Sequence, residues 1–247
     1  MTKDIVRWKP SKELWVVLLS LLWMWFAYYT VTIPFRDKIL YRLIVWVFFT
    51  AVAVSFCLPA WWVLFHKKED KSSLGITSNM LLVSLCLSVI LAATRIAGLI
   101  PYLNHPALML HLIYNGLSIW EVSFLYAWLF SRFNIMFGNL PAIVLTTLST
   151  GIYHIGTLSI PQILSLCAAT LLVCAAYSTT HNILTIYPVY WVIGCTASTM
   201  SNEFLFDPLY VLAAVFVLIV QIIFLSFCLK RKGVAKGAMQ ITSGKRS

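Results

Sequence analysis

Long apolar runs, broken by short polar or charged intervals, recur along almost the whole chain. Eight stand out, at residues 14–33, 43–65, 78–100, 107–130, 140–160, 163–177, 183–197 and 209–229. A membrane-spanning helix needs about 20 predominantly apolar residues. The pattern therefore predicts an all-α fold, a polytopic transmembrane helical bundle of about eight spans. The sixth and seventh runs are short and flank the weakly polar stretch 178–182. They read as short tilted helices or as one broken pair, and irregular backbone at that depth must be buried in protein or line a cavity. The first run is too long for the core of a signal peptide and no small-residue cleavage site follows it, so it reads as a retained anchor.

Composition sharpens this to an integral, multi-pass membrane protein. The chain is 61% hydrophobic and 11% charged, against about 45–50% and about 25% in soluble domains. Its net charge of +10 reads as topology and not as nucleic-acid binding. With eight spans and an inside N-terminus, 14 of the 18 Lys and Arg fall in inside segments and three outside, with Arg95 within a span. That asymmetry predicts that both termini are cytoplasmic; the expected location is the cell membrane, with the basic tail against anionic headgroups. Cys57, Cys86, Cys167, Cys174, Cys195 and Cys228 all lie in apolar runs without a CxxC pair, which suits small core residues better than a disulfide frame or a metal site. Four blocks follow: a basic leader with two spans at 1–65, a polar cytoplasmic linker at 66–77, a core at 78–199, and the last span with the basic tail at 200–247.

The core holds nearly all the polar residues at membrane depth. Glu121 is the only charged residue in 107–130, and His154 is the only ionisable group in 140–160. An acid at the bilayer centre costs roughly 2.5–3.5 kcal/mol on insertion scales, so it usually pairs, faces a cavity and has a function. His111, Asn115, Ser118 and Glu121 are spaced 4, 3 and 3 apart, which places them on one stripe about 120° wide at about 100° per residue. Such a stripe also serves as an interhelical hydrogen-bond seam, although Ser or Asn would do that more cheaply than Glu. Thr146, Thr147, Ser149, Thr150 and Gly151 precede His154 and suit close approach of a neighbouring helix. At about 1.5 Å per residue, Glu121 sits about 14 Å and His154 about 21 Å from the cytoplasmic ends of their runs, an offset of about 7 Å. Arg95, His105, His111 and His181 lie near span ends and read as interfacial. No short-spaced ligand pair of the HExxH kind occurs, so neither a metal nor another cofactor is expected.

Desolvation raises the proton affinity of a buried carboxylate, and such a group takes a proton from an adjacent water near neutral pH. A neighbouring imidazole orients that water or donates to the oxyanion formed when water attacks a carbonyl. Peptide hydrolysis without a covalent intermediate is one use of the pair; proton relay in a transporter is another.

The stretch WEVSFLYAWLF at 120–130 resembles the first motif, Glu-Glu-x-x-Phe-Arg-Gly, of the CAAX-protease and bacteriocin-processing family of intramembrane glutamic endopeptidases. KSSLGIT before the third run is similar to the Leu-Gly segment that leads into that family's core. His154, 33 residues after Glu121, falls where the family places its Phe-x-x-x-His histidine, and THNILTIYPVYWVIG resembles the span of its His-x-x-x-Asn motif. The likeness covers about residues 72–197. Val122 stands in place of the second Glu, Tyr126 of the Arg, Ala127 of the Gly and Thr150 of the Phe, while Tyr190 and Gly194 stand at the third-motif His and Asn. The resemblance implies a divergent intramembrane endopeptidase in which Glu121 activates water and His154 assists, with Asn115, Tyr126, Thr150 and Tyr190 supporting. Its implied partners are the lipid bilayer and a membrane-associated peptide or protein substrate, prenylated in some members, entering from the cytoplasmic half. The replaced Arg and His leave open an inactive relative acting as a membrane scaffold or binding protein, and a small proton-coupled transporter is the third reading.

Overall fold

The computed structural model of the chain describes residues 5–117, 120–194 and 208–244, and these are helical with no β-strand among them. Eight helices can be followed within them: α1 (Glu13–Thr32), α2 (Ile39–His66), α3 (Leu81–Ala93, bent by 57° into Arg95–Tyr102), α4 (Leu108–Phe137), α5 (Asn139–Tyr153), α6 (Ile160–Thr180), α7 (Tyr187–Gly194) and α8 (Pro208–Gly244). Among the described residues, five helices (α1, α2, α4, α6 and α8) are long and apolar enough to cross a membrane, and the bent α3 makes six if counted as one span. Large apolar side chains are left bare around the bundle, among them Leu82, Ile90, Leu172 and Ile223. A soluble monomer rarely exposes apolar surface on this scale, whereas acyl chains would cover it.

Local sequence explains where the helices turn. Gly138 takes φ +87° between α4 and α5, a left-handed conformation open to glycine at little cost, and the chain reverses there. Ser159 and Gln162 form a reciprocal capping box at the start of α6, beside Pro161 in the first turn, and together they fix that N-terminus. Small residues on α5 let α6 approach closely: a Cβ on Gly151 would stand 2.9 Å from Cys167 Sγ, and Cys167 itself donates to the Thr147 carbonyl at 3.6 Å.

Several boundaries differ from the sequence expectation. The sixth run is no short fragment; it is a full 21-residue helix, Ile160–Thr180. The fifth ends early, at Tyr153, so His154 caps a helix and does not sit in mid-span. Helix α4 runs to Phe137 and carries Arg132, expected in a cytoplasmic loop, into the protein interior at 0% exposure. The seventh run reduces to the turn Ile183–Thr185 and the eight-residue α7, and its residues 195–197, with Cys195, lie outside the described residues. Helix α8 continues through the basic tail to Gly244. Cys174 and Cys228 are buried as core residues, but Cys86 is exposed on α3.

One end of the bundle gathers the charged segments, and is called the basic end below. Arg7 and Lys9 donate backbone N–H groups to the Phe137 and Met136 carbonyls, each at 2.9 Å. The linker folds back there: Gly75, at φ +73°, accepts from the Ile183 N–H at 3.0 Å, and Asn182 Nδ2 donates to the Thr77 and Asn79 carbonyls at 3.0 and 2.9 Å. A buried ion network ties these pieces together. Arg132 forms a two-bond fork with Glu69, at 2.8 and 2.7 Å, and reaches Glu13 at 3.2 Å. Glu13, 5% exposed, also takes the Trp62 indole N–H at 2.6 Å and lies 3.3 Å from Lys67 Nζ. Burial alone would raise the Glu69 carboxyl, but the hydrogen bonds and charge of Arg132 outweigh it and hold the group below its ordinary value.

Candidate functional site

Glu121 lies near the middle of α4, 16 residues before its end, and His154 lies 15 residues after the start of α5. At about 1.5 Å per residue these are about 24 and about 22 Å from the basic end. The depth offset expected from the sequence closes because α4 is longer at that end than the apolar run implied. Just beyond Glu121, from Ser123 to Phe130, α4 winds more widely, with π-type i→i+5 hydrogen bonding, as α2 does over Arg42–Cys57 and Trp62–His66.

Glu121 and His154 come into the same cluster through Tyr153. The Tyr153 hydroxyl donates a hydrogen bond to Glu121 Oε1, while its ring lies against the His154 ring with centroids 4.1 Å apart. Among the described residues no hydrogen bond or ion pair joins Glu121 to His154 directly. His154 Nδ1 pairs with the Thr150 carbonyl at 2.8 Å. A carbonyl only accepts, so that bond places the ring proton on Nδ1 and leaves Nε2 as the acceptor in the neutral imidazole. Tyr28 of α1 closes the other side, its ring edge-on to His154 at 4.9 Å and to Tyr153 at 5.8 Å.

The supporting residues divide. Tyr126 is buried and Tyr190 half-buried; they share a hydrogen bond, oxygen to oxygen, of 2.9 Å, within electrostatic range of Glu121. Thr150 acts through its carbonyl on His154, while its hydroxyl donates back to Thr146 at 3.1 Å. Asn115 donates to the His111 carbonyl one turn earlier at 2.8 Å. Ser118 of the polar stripe lies outside the described residues. Trp120, packed edge-on against Trp46 at 4.8 Å, shields the neighbouring position on α4. Among the described residues no group of three or more His, Cys, Asp or Glu side chains is placed to hold a metal.

Two members of the cluster escaped sequence reasoning, Tyr28 and Tyr153. Tyrosine is common near the ends of membrane helices, so neither stands out from the chain's other tyrosines; the one available signal was the adjacency of Tyr153 to His154. Comparison with protein-family models, with curated proteins and with solved structures finds no match.

Proposed function

We propose that the chain is a divergent intramembrane endopeptidase of the CAAX-protease and bacteriocin-processing type, with about eight membrane passages, both termini in the cytoplasm and a place in the cell membrane. The observation that carries this reading is the cluster around Glu121: an acid at mid-depth, hydrogen-bonded to Tyr153 and joined through it to a histidine of fixed tautomer. The contact between Tyr126 and Tyr190 supports it further, because these residues stand at the family's Arg and third-motif His positions. In this reading Tyr153 holds one carboxylate oxygen of Glu121, and the other takes a proton from water. His154 Nε2 accepts from that water and orients it toward a peptide carbonyl of a membrane-associated peptide or protein. The proton then passes from Glu121 to the departing amine, and both products leave with the carboxylate restored.

The test uses purified protein in liposomes with a panel of membrane-anchored peptides, prenylated and unprenylated. Native protein cleaves at least one of them, and Glu121→Gln abolishes cleavage while keeping size and fold. His154→Ala slows it by about 10²–10³-fold, the usual loss when one transition-state contact goes. If neither native protein nor Glu121→Gln cleaves, or both cleave equally, the chain acts as a membrane scaffold or binding protein. One observation favours that second reading: Tyr153 already occupies Glu121.

A further inference from the structure

A recess of about 90 Å³ opens between α2, α4 and α8, toward the end of the bundle opposite the basic end. Arg42, in the first turn of α2, lines it with Trp46 one turn further on, and Tyr114 and Trp120 of α4 complete its polar side. The rest of the wall is aliphatic, with Leu43 and Val47 on α2 and Ala213 and Val217 on α8. At about 15 Å³ per water the recess has room for about six, enough for a compact polar group.

The polar side chains on this wall are donors, and no acid lines the recess. Asp37, the nearest acid in the sequence, pairs instead with Arg36 at 3.6 Å. Arg42 gives one hydrogen bond to the Arg36 carbonyl at 3.3 Å, but a guanidinium carries five N–H donors and no acceptor. Trp23, Trp25, Trp62, Trp128 and Trp191 each donate an indole N–H to a partner within the protein; among the described residues Trp46 and Trp120 do not. A fixed cation with two indoles and a phenol beside it is complementary to an anion with several acceptor oxygens.

We propose that this recess binds a phospholipid of net negative charge through its phosphodiester. The charged oxygens meet the Arg42 guanidinium, and the remaining oxygens accept from the indole and phenol groups. A fatty acid offers only two carboxylate oxygens, which leaves donors unmet. A zwitterionic head brings an ammonium that meets Arg42 and finds no acid to pair with. The acyl chains follow the aliphatic wall and run out over Ile44, Phe48, Leu212 and Phe216, which are exposed on α2 and α8; a free phosphate would leave that wall bare. The site stands whether or not Glu121 hydrolyses anything.

The experiment uses full-length protein in maltoside micelles and two photoreactive probes with the same diazirine-bearing chains, a phosphatidylglycerol and a phosphatidylcholine. The phosphatidylglycerol labels native protein on peptides covering residues 43–51 and 209–217, and the phosphatidylcholine labels them at least about tenfold less. Arg42→Gln lowers the phosphatidylglycerol label there by about tenfold, the worth of a charged hydrogen bond. It leaves labelling of the basic tail unchanged, because those Lys and Arg attract the same lipid independently. Ala213→Trp fills the recess and keeps Arg42, and it also loses the label, so the result does not hang on one variant. Inorganic phosphate in large excess leaves the label in place. Equal labelling by the two lipids, or an undiminished label in Arg42→Gln, would overturn the proposal in favour of a slot for any acyl chain. Displacement by phosphate would overturn it in favour of a site for a free anion.

Discussion

Replacing Arg132 by Met tests how the basic end is held. In the native protein the guanidinium is fully buried and serves two carboxylates at once. Methionine keeps the apolar stem but leaves Glu69 and Glu13 without that cation. Breaking a buried pair from one side costs about 3–5 kcal/mol. Two features move the expectation to the lower end. Glu13 retains Lys67 at 3.3 Å and the Trp62 N–H at 2.6 Å, and the Glu69 side chain is 26% exposed and can regain water. The expected loss is therefore about 3 kcal/mol, roughly a hundredfold in the folded-to-unfolded ratio.

Tryptophan fluorescence during denaturant unfolding in micelles reads the stability, and trypsin reads the local consequence at Lys67, Lys68 and Lys71, whose segment Arg132 pins through Glu69. Arg132→Lys should fall between, because an ammonium keeps the charge but cannot make the two-bond fork. Adding Glu13→Gln and Glu69→Gln to Arg132→Met should recover most of the loss, since no unpaired charge then remains buried. A stability change within about 0.5 kcal/mol, with linker cleavage unaltered, would refute the account and mean that the network is adventitious.

Two further outcomes follow from the same geometry. Tyr153→Phe removes the hydroxyl that Glu121 accepts and should cost about 1–3 kcal/mol; in a double-mutant cycle with Glu121→Gln the two losses should be strongly non-additive, and simple additivity would deny that the bond forms. Because Glu69 is held below its ordinary value of 4.5, the stability it contributes is complete above that pH and fades as pH falls through its lower folded value. Glu69→Gln should accordingly be less stable than native protein near neutrality, and the gap should narrow on acidification below about pH 4.5; a constant gap would exclude the linkage.

The helical membrane class could be read directly from the apolar runs, because lipid leaves few alternatives to a helix. The ends could not, and Arg132 shows why. A Lys or Arg after an apolar run normally marks the boundary, since lipid cannot host it. A protein interior that supplies two carboxylates can, and Glu13 and Glu69 come from 119 and 63 residues away. Nothing in a single sequence pairs residues at such distances. Glu121 and His154 were visible because ionisable groups are rare at that depth. Tyr153 and Tyr28 were not, because an aromatic residue in a membrane protein needs no special reason. Tyr126 and Tyr190 entered through the family resemblance alone, and each turns out to touch the other.

The filling of the basic end bears on how anything reaches Glu121. Sequence reasoning brought a substrate in from the cytoplasmic half, the half where the basic segments gather. Along α4 in that direction Tyr126, Trp128, Phe130 and Arg132 are all fully buried, with Arg132 locked between two acids. That path is closed by packing and by charge together. Glu121 itself lines neither of the two nearby openings, but its neighbours do: Val122 and Ser123 reach the wall of a cavity of about 350 Å³ between α2, α4, α7 and α8, and Trp120 lines a second recess with Trp46, Tyr114 and Arg42 toward the opposite end. On the proposed endopeptidase reading, a substrate would therefore approach Glu121 from the side or from that opposite end unless that packing opens. On that reading the Arg132 and Glu121 variants are independent: Tyr126, Trp128 and Phe130 stay packed between the two positions, so Arg132→Met should lower stability without opening a route to Glu121.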